Sequence, residues 1–186
     1  MVFIVNGRER VGKDSFCQFV QKIMEEEVGP QSCSITSTVD LVKEIARECG
    51  WDGLKTPKNR KFLSDLKDLL TEWDDVPYKD IANYIEGAKL FWSQYHYPED
   101  KTIVFVMCRE PKEIQKFVDR MGAKTLMVRR PEVENAHPSN HADAEVFNFE
   151  YDIYIENHGT VGYLEELAKK FVESFLKGEE YEGIYW

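Results

Sequence analysis

The sequence predicts a doubly wound α/β fold, a parallel five-stranded sheet with helices on both faces. Three observations lead there. A short apolar run, Met1 to Val5, passes directly into a glycine-bracketed turn and then into a helix that opens with a lysine. Segments of strand length alternate with segments of helical period along the rest of the chain. The clearest strand, Thr102 to Met107, is β-branched, aromatic and apolar throughout, as central parallel strands covered on both faces are.

The opening unit carries the first chemistry. Gly7, Arg8, Glu9, Arg10, Val11, Gly12 and Lys13 fit the phosphate-binding P-loop pattern GxxxxGK[ST] up to its last position. There Asp14 stands where a hydroxyl residue is usual, and Ser15 follows. Such a loop turns backbone N–H groups inward, the helix N-terminus adds partial positive charge, and the lysine adds a full one. Phe16, Phe19, Val20, Ile23 and Met24 extend the helix from Lys13 to about Glu27, and Gly29-Pro30 stops it.

Ser32 to Thr36 reads as a short second strand, and Ser37 to Asp40 offers caps for the next helix. That helix has Leu41, Val42, Ile45, Ala46 and Cys49 as its apolar stripe and ends at Gly50, before a loop from Trp51 to Asn59. Phe62, Leu63, Leu66, Leu69, Leu70 and Trp73 then form one helical face. A further helix carries Ile81, Tyr84, Ile85, Ala88, Phe91, Trp92 and Tyr95. With no strand beside them, these two segments read as a helical insertion over about residues 55–97, their aromatics read as core in preference to a base-stacking platform, with a nucleobase slot lined by one of them left open.

After the strand 102–107, Pro111 suits the first turn of a helix that ends at Gly122. Thr125 to Val128 is a fourth strand leading into Arg129-Arg130-Pro131, and residues 131–150 read as a loop. Tyr151 to Glu156 alternates as a fifth strand, and Asn157-His158-Gly159-Thr160 turns into a last helix through Phe175. The domain thus spans 1–178, with a polar, aromatic-tipped tail over 179–186.

Composition limits the partners. The 186 residues are 42% hydrophobic and 13% aromatic, enough for one domain with a substantial core. A formal net charge of −10 argues against non-specific binding to nucleic acid or to an anionic membrane. No apolar run reaches the length of a membrane span, and the N-terminal run is too short for a signal peptide. Cys17, Cys33, Cys49 and Cys108 form no CxxC pair, which argues against zinc and for buried or half-buried thiols in a reducing, cytoplasmic compartment. His96, His137, His141 and His158 suggest neither a metal set nor a dyad.

In doubly wound sheets ligands lie at the carboxyl ends of the strands. Those positions here are Asn6 to Asp14, Ser37 to Asp40, Arg109-Glu110, Arg129-Arg130 and Asn157-His158. Three of these clusters supply Arg or Lys, so an acidic chain concentrates positive charge at one edge. Arginine suits phosphate because its planar fork binds two oxygens and does not deprotonate.

These residues carry a resemblance. GRERVGKDSF, with Asp after the lysine, resembles the P-loop of phage and bacterial deoxynucleoside monophosphate kinases and of animal-type phosphomevalonate kinase. Leu41 to Ala46, Arg109 with Glu113-Ile114, Ala142 to Glu145 and Phe149 to Thr160 resemble later segments of the same enzymes, in the same order. The resemblance implies an adenylate-kinase-like fold with a short lid, here about 129–150, and transfer of the ATP γ-phosphoryl group to a small-molecule phosphate acceptor. It implies that Lys13 bridges the β- and γ-phosphates, that Ser15 meets the α-phosphate, and that Asp14 meets Mg2+ directly or through water. It makes Arg129 or Arg130 the lid arginine, and Arg109, Arg60 and Lys43 the candidates for the acceptor phosphate. It lays Asn157, His158 and Gly159 along the adenine.

One departure stands out. These kinases usually place an Asp near the end of the third strand to organise Mg2+, whereas this chain reads Val106-Met107-Cys108, with Glu110 the nearest acid. Three readings stay open: a nucleoside or deoxynucleoside monophosphate kinase, a phosphomevalonate-type kinase, and an ATP-binding regulator without turnover.

Overall fold

The computed structural model describes residues 1–134, 146–179 and 184–186. Its strands are β1 (Val2–Asn6), β2 (Cys33–Ser37), β3 (Ile103–Met107), β4 (Lys124–Arg129), β5 (Ile153–Glu156) and β6 (Ile184–Tyr185). The helices are α1 (Lys13–Glu27), α2 (Asp40–Glu48), α3 (Pro57–Asp74), α4 (Val76–Gln94), α5 (Pro111–Met121), the single turn α6 (Pro131–Glu134) and α7 (Val161–Lys177). The sheet order is β2-β3-β1-β4-β5-β6, and every pair of neighbours is parallel. This is the doubly wound parallel sheet expected from the sequence, with one strand more than the five read there.

Alternation along the strands splits the core into two layers. Phe3, Val5, Phe105, Leu126 and Val128 face α1 and α7, whose Phe16, Val20, Leu164 and Phe171 complete the first layer. Phe171 is its aromatic hub, with ring centroids 5.3 Å from Phe3, 5.7 Å from Phe16 and 6.0 Å from Phe105. Ile4, Val104, Val106 and Met127 point the other way, onto Ile81, Ile85 and Trp92 of α4 and Ile114 and Phe117 of α5.

Local chemistry explains most helix ends. Thr56 caps α3 by accepting from Asn59 N–H, and Pro57 follows as a first helical residue. Thr160 caps α7 the same way, accepting from Tyr163 N–H. Helix α2 departs from expectation: it starts at Asp40 with no side-chain cap, because the Ser37 hydroxyl is turned to the N–H of Val39 and the Met107 carbonyl.

Four further expectations change. The end of the tail, Ile184–Tyr185, is the sixth strand: Trp186 exchanges backbone hydrogen bonds with Tyr154 and Glu156, and its ring lies 5.9 Å from Phe171. Three apolar letters after Gly183 were too few to show strand alternation. Cys49 is exposed at the end of α2, unlike Cys17, Cys33 and Cys108, which are buried; all four thiols are free. Helix α3 takes in the last three residues of the stretch read as a loop, starting at Pro57. Its apolar face is not core: Leu69 is 62% and Trp73 80% exposed, and the buried residue of α3 is Lys67. Half of the lid expected over 129–150, residues 135–145 with His137, His141 and Ala142 to Glu145, lies outside the described residues. Among the described residues no helix is long and apolar enough to cross a membrane.

Candidate active site

The parallel strands bring Asn6, Ser37, Met107, Arg129 and Glu156 to one edge of the sheet. The turn after β1 is shaped by its two glycines. Gly7 has φ +150°, and a Cβ there would lie 2.6 Å from the Val128 carbonyl oxygen. Gly12 has φ +98°, and a Cβ there would lie 2.9 Å from the Asn157 amide nitrogen. Only glycine fits either place. Between them Arg10 holds φ 65°, a left-handed conformation uncommon for a side-chain-bearing residue.

Two buried asparagines brace this turn. The Asn6 carbonyl oxygen accepts from Gly7 N–H at 2.7 Å, and its amide donates to the Arg109 carbonyl and, at 2.7 Å, to the Tyr151 hydroxyl. That hydroxyl donates onward to the Val146 carbonyl, and burial raises its pKa so that it keeps the proton it donates. Asn157 donates to the Val11 carbonyl at 2.9 Å and accepts from Gly159 N–H at 3.3 Å. The glycine turn is thus tied to the ends of β3 and β5 by side chains that are themselves hydrogen-bonded.

Above the turn lies an open cleft of about 330 Å3. Arg8, Arg10, Gly12, Lys13, Asp14 and Ser15 line it from one side, Arg130 and the turn Asn157, Gly159 and Thr160 from the other. Four cations and one carboxylate in a chain of net charge −10 concentrate positive charge at a helix N-terminus, a setting that suits an anion. The Lys13 ammonium lies 3.3 Å from the Asp14 carboxylate; the Lys13 side chain is 11% exposed and that of Asp14 78%. The Arg130 Nε is buried and has no hydrogen-bond partner among the described residues, its carboxylate neighbour Glu132 standing at 3.7 Å.

The other residues singled out from the sequence fall around this cleft. Glu9 is exposed on the turn, and His158 is exposed beside Glu156, at 3.2 Å. Arg129 stands 3.9 Å from Glu156 and over the ring of Phe147, 5.7 Å from its centroid. Arg8 lies over the same ring at 4.7 Å, so one aromatic side chain gathers two guanidinium groups beside the cleft. Arg109 is at the end of β3, half-buried. Lys43 is 3.2 Å from Asp40 on its own helix, and Arg60 is exposed on the first turns of α3; neither lines the cleft.

Sequence reading missed Phe147, Tyr151 and Lys67. The first two sit in or beside a stretch without period, and a lysine at a helical position reads as solvated. At the β3 end Met107 packs against the first core layer and supplies no carboxylate. Among the described residues no group of three His, Cys, Asp or Glu side chains stands close enough to hold a metal ion.

Comparison with known proteins adds the fold. No protein-family model matches the chain, and no curated protein matches it either. Among solved structures, thymidylate kinase from Ehrlichia chaffeensis superposes with a TM-score of 0.51 over 92% of this chain and 98% of that one, at 12% sequence identity. The chain therefore shares the α/β P-loop fold of that enzyme.

Proposed function

We propose that this protein transfers the γ-phosphoryl group of ATP to a small-molecule monophosphate, specifically a nucleoside or deoxynucleoside monophosphate. The observation that carries the reading is the cationic cleft at the braced glycine turn, with Lys13 at its floor and Arg130 facing it. The fold shared with a thymidylate kinase supports it.

An acceptor phosphate is already a nucleophile at neutral pH, so the reaction asks for positioning and charge neutralisation rather than a strong base. Lys13 fits the β- and γ-phosphates: on binding, its ammonium exchanges the exposed Asp14 carboxylate for phosphate oxygens. Backbone N–H groups past Gly7 cradle the chain of phosphates; that of Gly7 itself is spent on Asn6. Arg130, whose buried Nε has no partner among the described residues, gains one from the transferring phosphoryl group. Arg8 and Arg129, gathered on Phe147, supply further positive charge nearby. Ser15 meets the α-phosphate, and Asn157, His158 and Gly159 offer backbone groups along the base. Arg109, Arg60 and Lys43 remain the candidates for the acceptor phosphate.

The donors present fit Mg2+ held largely by substrate phosphates and water, with Asp14 as the one exposed carboxylate on the cleft among the described residues. When bound, Mg2+ neutralises phosphate charge.

A second reading, an ATP-binding regulator without turnover, is favoured by one observation: the β3 end offers Met107 in place of a carboxylate, and Glu113 beyond it is bonded to Lys67. A coupled ADP-release assay separates the two. It uses Mg-ATP with the ribo- and deoxynucleoside monophosphates, phosphomevalonate and dephospho-coenzyme A, with calorimetric titration of ATP alongside. Acceptor-dependent ADP release with a nucleoside monophosphate is expected. Release with phosphomevalonate alone moves the acceptor class, and tight ATP binding without acceptor-dependent release establishes the regulator.

A further inference from the structure

Lys67 is the buried residue of α3, 8% exposed on a helix whose Leu69 and Trp73 face solvent. Its ammonium donates to Glu113 Oε2 at 2.6 Å and stands 3.7 Å from Glu110 Oε1. The Cys108 thiol donates to the same Glu113 oxygen at 3.4 Å. Burial pulls the Lys67 pKa down, but Glu113, through charge and hydrogen bond, with Cys108 and Glu110, outweighs it, so the ammonium stays charged.

Arg109 lies between two of these partners. Cys108 before it is tied to Glu113, Glu110 after it is drawn to Lys67, and its own carbonyl accepts from Asn6 at 3.2 Å. A second tie lies eight residues along from Lys67, where Asp75, at the corner between α3 and α4, pairs with Lys116 at 2.6 Å and Arg120 at 3.5 Å on α5. Helix α3 is thus fastened to α5 at two points, both on the side of the sheet away from the phosphate cleft's α1 and α7.

We infer that Lys67 is a positioning residue: through Glu113 and Glu110 it fixes the strand-end segment that carries Arg109, and so sets the acceptor end of the site from α3. What Arg109 binds rests on the function proposed above; where Lys67 holds it does not.

The test uses Lys67→Met, Lys67→Arg and the double variant Lys67→Met/Glu113→Leu, which leaves no buried charge alone and is read in place of Lys67→Met if that variant does not fold. Two readouts are taken on the full chain. The first is steady-state kinetics with dTMP and the other monophosphates, with ATP affinity by calorimetry. Lys67→Met is expected to raise the acceptor KM about tenfold, the equivalent of about 1.4 kcal/mol, with ATP affinity within about twofold of wild type. Lys67→Arg recovers part of the loss. The second is the 15N NMR signal of the Arg109 amide and Nε, assigned through Arg109→Lys. Those signals are expected to shift in Lys67→Met while the Gly12 amide stays in place.

A folded variant with unmoved Arg109 signals overturns the inference, as does an unchanged acceptor KM or an ATP affinity that weakens in step with it. Should wild type turn over no monophosphate, the proposed function fails, and the Arg109 signals alone decide the role of Lys67.

Discussion

At the proposed phosphate edge the key residues are close in sequence, Gly7, Gly12 and Lys13, whereas in α3 the buried Lys67 answers to partners at 110 and 113. The glycine turn is held by buried asparagines and close backbone approach; α3 is held by ion pairs. The contrast teaches what sequence spacing encodes. A short motif fixes its own geometry because covalent neighbours cannot move apart. A helical period says which residues share a face, but not which way that face turns.

The largest effect that can break this contrast is at Lys13. Lys13→Ala is expected to lower kcat at least about a hundredfold while the melting temperature stays near wild type. Normal turnover in that variant removes the phosphate edge from the chemistry.

Glycine-to-alanine pairs sharpen the comparison next. Gly7→Ala pushes a methyl against the Val128 carbonyl and should cost about 2–4 kcal/mol in urea unfolding. Gly87→Ala, in the α4 interior with open space around it, should gain about 0.5–1 kcal/mol. Equal effects from the two would mean that the turn is not geometrically constrained.

The buried thiols test both regions by pH. Cys17 lies behind the glycine turn on α1 and Cys108 in the Lys67 cluster, and burial raises both above the usual 9.0. The folded state therefore keeps protons that the unfolded state gives up, and stability falls as pH rises past about 9. Lys67, also raised, adds to the fall above its usual 10.5, because its ion pair is lost as pH passes through its folded pKa. Urea midpoints from pH 7 to 11 under reducing conditions should show this decline, shallower between 9 and 10 in Cys17→Ala and Cys108→Ala. A flat profile contradicts the burial of these groups.

The smallest expected effect is at Trp73. With 80% of it exposed, Trp73→Lys should change stability by no more than about 0.5 kcal/mol. A loss of several kcal/mol would restore the apolar face of α3 to the core, as its periodicity first suggests.

Much of the molecule could be read before it was seen. The five longer strands, the span of α1 and the proline and glycine limits of α5 follow from local rules that tertiary contacts left standing. The cleft's lining by Arg8, Arg10 and Gly12 to Ser15, with Arg130, Asn157 and Gly159, was legible because strand ends in a parallel sheet converge. The sixth strand was hidden because Ile184 and Tyr185 pair with an edge only the folded sheet provides. Phe147 was hidden because its worth lies in two arginines, one just after β1 and one at the end of β4, that only folding brings to its ring. Lys67 was hidden because a buried lysine is tolerable only where distant carboxylates meet it.

The most direct test of the central claim is 31P NMR of the protein with Mg-ATP and the monophosphate it turns over fastest. Transfer at the glycine turn predicts new diphosphate signals from the acceptor growing in step with ADP, and none in Lys13→Ala. ADP accompanied only by inorganic phosphate, or no change from ATP at all, contradicts it.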